Sequence, residues 1–160
     1  MPNRRYFMIM ALSALAACGG RNDNDARPTR PVSRARDLPL YPNETPALRR
    51  LINAAAARHD IPVSLLHRVI IRESTHNPSA RNGPYYGLMQ ILPQTARTMG
   101  YSGSNRGLLD AETNLKYAGK YLRGAWLVSG GDQDAAVMWY ARGYYYEAKR
   151  LGLLEETGLR

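Results

Sequence analysis

One cysteine, Cys18, occurs in 160 residues, so no disulfide within the chain staples the fold. Phenylalanine is nearly absent: Phe7 stands alone beside 11 tyrosines and two tryptophans. Tyrosine joins an apolar ring to a polar tip, which suits core rims and wet, partly apolar grooves. Acidic residues are scarce, 13 against 22 Lys and Arg, for a net charge of +9, and none lies between Ser74 and Leu109. A basic balance implies an acidic partner or simply a solvated basic surface, and charge alone does not choose. The chain has no basic block with interleaved aromatics and no nucleic-acid motif, so nucleic-acid binding is not expected. It shows no strand pattern of length, no internal repeat and no metal-ligand cluster, so neither metal nor cofactor is expected. The longest apolar run, Tyr6 to Ala16, is too short to span a membrane comfortably as a helix.

That run has signal-peptide length and follows Arg4 and Arg5. It ends in Leu15-Ala16-Ala17-Cys18, which resembles a bacterial lipobox. The resemblance implies cleavage before Cys18 and lipidation of its thiol; a plain secretory signal with a chance cysteine is the alternative. Gly19, not Asp, follows Cys18, which by the enteric sorting rule favours the outer membrane. The expected location is therefore the bacterial periplasm, with a lipid anchor to the membrane through Cys18. Cleavage removes two arginines and no acid, leaving 20 cations against 13 anions, a net +7. Gly19 to about Pro42 is rich in Arg, Asp, Asn and Pro and reads as a disordered tether. Three segments are expected: a signal peptide at 1–17, the lipidated Cys18 and tether at 18–42, and one domain at 43–160.

Within the domain the periodicity is helical. Thr45-Pro46 has the form of an N-cap followed by proline, with a helix to Arg58 that His59-Asp60-Ile61 breaks. Pro62 opens a second helix with Leu65, Leu66, Val69 and Ile70 as its apolar stripe. Ser79 to Tyr86 has the Gly, Pro and Asn of a loop or short hairpin, and Pro93 starts a helix that Gly100 stops. Asp110 caps a long helix from Ala111 to about Val128, whose Gly119 and Gly124 weaken it unless close packing uses them. Asp132 or Gln133 begins another helix, and a last short one runs to about Leu154 before a frayed tail, Glu155 to Arg160.

Glu73 lies four residues after Val69 and eight after Leu65, so it continues the apolar stripe into the helix's last turn. An apolar surround and the negative end of the helix dipole both favour a protonated carboxyl. A carboxyl kept protonated near neutral pH is what a general acid needs. The helix alone favours an exposed Glu73 paired with Arg72 or His76.

The motif that follows is more specific. Glu73-Ser74, Asn77-Pro78, Ala80, Gly87-Leu88-Met89-Gln90-Ile91-Leu92-Pro93, Thr95-Ala96 and Gly100 together resemble the lytic transglycosylases of the soluble-lytic-transglycosylase type. Asn114, Leu115, Tyr121 and Leu122 keep the spacing of that family's long helix, and the resemblance covers roughly residues 47 to 150. It implies a mostly α, lysozyme-like single domain with a catalytic helix end and a loop or short hairpin flanking the cleft. It implies peptidoglycan glycan strands as the partner, cleaved between N-acetylmuramic acid and N-acetylglucosamine, by a protein expected to be a monomer. Carried over by position, Glu73 is the single catalytic acid/base. Ser74 supports its helix end, Gln90 contacts the sugar or its acetamide, and Met89 belongs to the same substrate-binding segment. Asn82 falls where the family often has a Ser near the reacting sugar, and Tyr140 where a cleft Tyr hydrogen-bonds near the Glu. Two features depart from the family. The loop from Asn82 to Gly87 is one residue short of the commonest form. The usual Ala-Tyr-Asn-Ala-Gly run is Trp139-Tyr140-Ala141-Arg142-Gly143, followed by a tyrosine triplet.

Hydrolysis of a glycoside normally takes two carboxylates, whereas this motif offers one. One suffices if the muramoyl 6-hydroxyl attacks its own anomeric carbon to give a 1,6-anhydro end. A lysozyme-like hydrolase with a second acid brought in from Asp60, Asp110, Asp132, Asp134 or Glu147 is the rival within the class. An inactive peptidoglycan-binding lipoprotein is the rival outside it.

Overall fold

The computed structural model describes residues 39–160. Residues 1–38, with the signal, the Cys18 lipidation site and most of the tether, lie outside the described residues. The domain is mostly helical: α1 (Pro46–Arg58), α2 (Val63–Ser74), α3 (Pro93–Thr98), a 3₁₀ turn (Asn105–Leu109), α4 (Ala111–Val128), α5 (Gln133–Arg142) and α6 (Tyr145–Leu151). A two-stranded antiparallel hairpin, β1 (Arg81–Asn82) with β2 (Tyr85–Tyr86), sits between α2 and α3, pairing Arg81 with Tyr86 and Asn82 with Tyr85. No helix among the described residues is long and apolar enough to cross a membrane.

Local signals set the helix starts. Thr45 accepts the Leu48 N–H at 3.1 Å, Asp110 the Thr113 N–H at 2.8 Å and Asp132 the Ala135 N–H at 2.7 Å. Each satisfies one donor that a helix start leaves unpaired, typically worth about 1 kcal/mol. α4 is the central element, packing against α1, α3, α5, α6 and the 3₁₀ turn. Its buried face carries Leu115, Ala118, Leu122 and Ala125, with Trp126 partly buried at the edge.

Both glycines of α4 are used by close packing. A Cβ on Gly119 would stand 2.5 Å from the His59 ring, and one on Gly124 2.2 Å from the Tyr144 hydroxyl. Tyr144, almost fully buried, passes over Gly124 and donates its hydroxyl to Tyr121 O at 2.8 Å. The helix-weakening glycines are therefore the contact points that let α1 and α6 approach α4.

Two expectations at the end of the chain are corrected. The last helix stops at Leu151, because Gly152 turns left-handed at φ 74°. The segment from Glu155 is not frayed: Thr157 is buried, its hydroxyl donates to Leu153 O at 2.7 Å, and Leu159 packs on the core. At the other end, folded contacts begin before Asn43. The Tyr41 ring stacks on His76 with centroids 5.0 Å apart, and Arg49 Nη2 donates to Pro39 O at 3.2 Å.

Candidate active site

Glu73 occupies the last turn of α2. Below it Leu65, Leu66, Val69 and Ile70 are buried to within about a percent. The stripe therefore carries the carboxyl to the edge of the core, where its side chain keeps 23% of its exposure. Burial raises its pKa, opposed by the charge of Arg72, whose Nε lies 3.6 Å from Glu73 Oε1. Arg72 is more than half exposed, so the pair is worth about 0–1 kcal/mol and does not neutralise the site. His76, the other expected partner, is turned into the core.

The helix end is built to stop there. Thr75 and His76 follow in left-handed conformation, at φ 49° and 62°. A β-branched residue pays sterically for such a φ, so the turn must be held from outside. Asn43 Nδ2 donates to Thr75 O at 3.0 Å, and the His76 ring is fully buried. Ser74 donates its hydroxyl to Leu88 O at 2.7 Å, tying the end of α2 to the Gly87–Gln90 segment.

That segment forms the wall opposite. Gly87 has φ +75°, and a Cβ there would lie 2.3 Å from Asn114 Nδ2 and 2.4 Å from Leu108 O, so only glycine fits. Asn114, fully buried on α4, accepts the Met89 N–H at 3.0 Å and donates to Tyr86 O and Leu108 O, both at 2.9 Å. One amide thus holds three backbone strands of the loop in register. Sequence reasoning placed Asn114 in the family pattern without giving it this role. Partners in two segments distant from it or on the far side of its cap, Tyr86–Met89 and Leu108, leave no local sequence signal.

Two expected contacts are altered. Met89 is completely buried, so its side chain belongs to the core and not to the cleft. Its backbone carries the role instead, with its N–H on Asn114 and its carbonyl accepting the Tyr140 hydroxyl at 2.7 Å. Gln90 reaches the cleft, but both its amide hydrogens are engaged, Nε2 donating to Gly87 O at 2.8 Å and Ala80 O at 3.1 Å. These bonds hold Gln90 at φ 46°. Gln90 therefore shapes the hairpin base and has no amide donor left for a sugar.

An open cleft of about 330 Å³ is lined by Arg72, Glu73, Asn82, Tyr85, Gln90, Tyr140 and Ala141. It brings Glu73, Asn82, Gln90 and Tyr140 together, with Asn82 exposed on β1. Tyr140 packs edge-on against Tyr121 at 5.5 Å. Burial, and then the Glu73 charge, hold its hydroxyl pKa well above the ordinary value. It stays neutral, keeps its hydrogen bond to Met89 O, and offers Glu73 no charge. Tyr85 and Ala141, lining residues from the two departing segments, were not expected.

Among the described residues no second carboxylate lines this cleft. Asp60 pairs with Arg123 at 3.2 Å, Asp134 with Arg68, and Glu147 with Arg150 at 2.6 Å, while Asp110 and Asp132 cap helices.

One cluster outside the cleft has metal-ligating residue types: Glu44, His67 and His76, all buried, with ligating atoms within 4.8 Å of one another. Both Glu44 oxygens receive Arg49 at 2.6 Å, and Oε2 also accepts the Tyr41 N–H at 2.9 Å. The guanidinium stands where a cation would have to bind, so the cluster fits an internal ion pair better than a metal centre.

Residues 50–152 match the model of the transglycosylase SLT domain, well over half of the chain. The chain belongs to that family. No solved structure matches it. Membership makes the domain lysozyme-like and mostly α, and its general activity that of a peptidoglycan transglycosylase, with peptidoglycan as the polymer bound. Matched residues run from α1 past the end of α6, so they include the Glu73 helix end, the hairpin and the Tyr140 wall.

Proposed function

We propose that the protein is a lytic transglycosylase that cuts the N-acetylmuramic acid–N-acetylglucosamine bond without water, using Glu73 alone as acid and then base. The observation that carries this reading is a half-buried carboxyl with a raised pKa in a cleft lined by no second acid.

In the first half, protonated Glu73 gives its proton to the glycosidic oxygen as the bond to the anomeric carbon breaks. The muramoyl ring then has oxocarbenium character. In the second half, the Glu73 carboxylate takes the proton of the 6-hydroxyl, whose oxygen attacks the anomeric carbon. A 1,6-anhydro ring forms and Glu73 is protonated again. Nucleophile and electrophile share one sugar, so little entropy is lost on closure. The rise in the Glu73 pKa suits the first half, and the nearby Arg72 charge favours the ionised form needed in the second.

Glu73→Gln tests the role directly. Loss of about 10²–10⁴-fold in sacculus lysis is expected, as for removal of a general acid. Full activity in that variant would end the assignment, and lysis by neither protein with intact sacculus binding would favour an inactive peptidoglycan-binding lipoprotein.

We also propose that the mature protein begins at Cys18 and is lipid-anchored in the periplasm through the Leu15–Cys18 motif, with the outer membrane favoured by Gly19. Incorporation of labelled fatty acid that Cys18→Ser abolishes is the expected result.

A further inference from the structure

Arg142, the last residue of α5, stands between two cavities. On one side it lines the extension of the active-site cleft with Tyr85, Gln90, Tyr121, Tyr140 and Gly143. On the other it lines a pocket of about 440 Å³ between α5 and α6, with Trp139, Gly143, Tyr146, Glu147 and Arg150. The cleft, its extension and this pocket follow one another and share walls: Tyr85, Gln90, Tyr140 and Ala141 between the first two, Arg142 and Gly143 between the last two.

The charges of the α5–α6 pocket do not cancel. Glu147 is held by Arg150 through two hydrogen bonds of 2.9 and 2.6 Å, which leaves that pair neutral. None of the ion pairs among the described residues includes Arg142. Its guanidinium lies 5.9 Å from the Trp139 ring and 3.7 Å from Met138 Sδ, a weak acceptor. A planar fork of donors backed by an aromatic face is suited to a carboxylate. Tyr146 is 84% exposed at the rim, its ring edge-on to that of Tyr145 at 5.4 Å.

We propose that the α5–α6 pocket is a second binding site, taking a carboxylate of the peptide stem borne by the glycan strand in the cleft, with Arg142 as anion-binding residue and Trp139 and Tyr146 as its apolar walls. The inference rests on the peptidoglycan reading above. Sugars offer no carboxylate along the glycan backbone beyond the lactyl group, which is amide-linked where a stem is attached. The stem supplies free carboxylates, and wall-sharing with the cleft puts the pocket next to the strand. The site would make the protein prefer strands that carry stems.

The test compares soluble glycan strands bearing stems with the same strands stripped of stems by an amidase, the lactyl carboxylates so freed being converted to neutral amides. Dissociation constants are measured on a Glu73→Gln background, so cleavage does not consume the ligand. Stem-bearing strands are expected to bind about tenfold tighter, as one charge-assisted contact allows. Arg142→Ala is expected to bring the ratio close to one, and Tyr146→Ala, a fully surface change, to lower it partway. A ratio of one in the parent, or an Arg142→Ala effect equal on both ligands, overturns the proposal. Failure of the lytic reading would show separately, as absence of sacculus lysis by the protein with Glu73 intact.

Discussion

Helix α2 carries polar groups on two sides, and they are treated in opposite ways. On one side His67 meets His76, Nδ1 to Nε2, at 3.0 Å under the Tyr41 ring, with the Glu44–Arg49 pair beside them. Almost every polar atom there has a partner, His76 Nδ1 being the buried exception. On the other side Glu73 has a single loose neighbour, Arg72 at 3.6 Å. A buried polar group that serves the fold is paired, because an unpaired one costs about 1–3 kcal/mol. A carboxyl left half-buried and loosely paired is a cost the fold does not need, and it points to chemistry.

Acid acts on the two sides with opposite sign. Burial is the main cause lowering the His67 pKa from 6.5 to about 4. Between those values the unfolded chain holds the proton and the folded chain does not. Stability is therefore lost as pH falls from about 6.5 to about 4. Glu44 adds in the same direction: burial raises its pKa, but the Arg49 and Tyr41 hydrogen bonds and the Arg49 charge outweigh it and the net shift is downward. Glu73 is shifted upward, so its ionisation destabilises the folded state and acid relieves it.

The largest expected effect separates function from fold. Glu73→Gln abolishes lysis by about 10²–10⁴-fold, yet its melting temperature at neutral pH is expected to equal or exceed the parent's, because it removes an ionised, half-buried carboxyl. The gain should vanish at pH values below the ordinary carboxyl pKa. A marked loss of stability in this variant would place Glu73 among the structural polar groups.

Next comes the wall that faces Glu73. Asn114→Ala strands the Met89 N–H and the Tyr86 and Leu108 carbonyls in the core, at a cost of about 3–5 kcal/mol. Urea denaturation measures this loss, and a change under about 1 kcal/mol would mean that the loop holds itself without the amide.

The histidine side is then tested by stability against pH. Between pH 7 and 4, His67 alone is expected to withdraw on the order of 3 kcal/mol. Replacing both His67 and His76 with leucine should flatten that slope without moving the pH profile of lysis. A slope unchanged in the double variant would locate the acid sensitivity elsewhere.

Smallest is Arg72→Ala. Its charge lowers the Glu73 pKa, so removal should move the alkaline fall in activity to higher pH, with stability changed by about 0–1 kcal/mol. A shift to lower pH would contradict the electrostatics given for Glu73.

What was legible in the sequence is what short-range rules govern. The Thr45, Asp110 and Asp132 caps, the apolar stripe of α2 and the position of Glu73 on it all follow from spacing within a few residues. What was not legible depends on distant partners. Asn114 is 25 residues from Met89, and the polar cluster joins positions 44, 49, 67 and 76. The same holds for Gln90: a motif gives its place in the loop, but only the carbonyls of Ala80 and Gly87 show that its amide donors are already engaged. The tail's charges and one glycine carry no periodicity, while its anchors are the Thr157 hydroxyl, the Thr157 and Leu159 backbone hydrogen bonds to Leu153 and Leu154, and the packing of Leu159.

The central claim is that one carboxyl performs both halves of the reaction. Mass spectrometry of the fragments released from purified sacculi tests it most directly. The account predicts muramoyl ends of the 1,6-anhydro form, each lighter by one water than a reducing end. Reducing ends from the purified protein would show that water is the nucleophile, and the single-glutamate account of this cleft would be wrong.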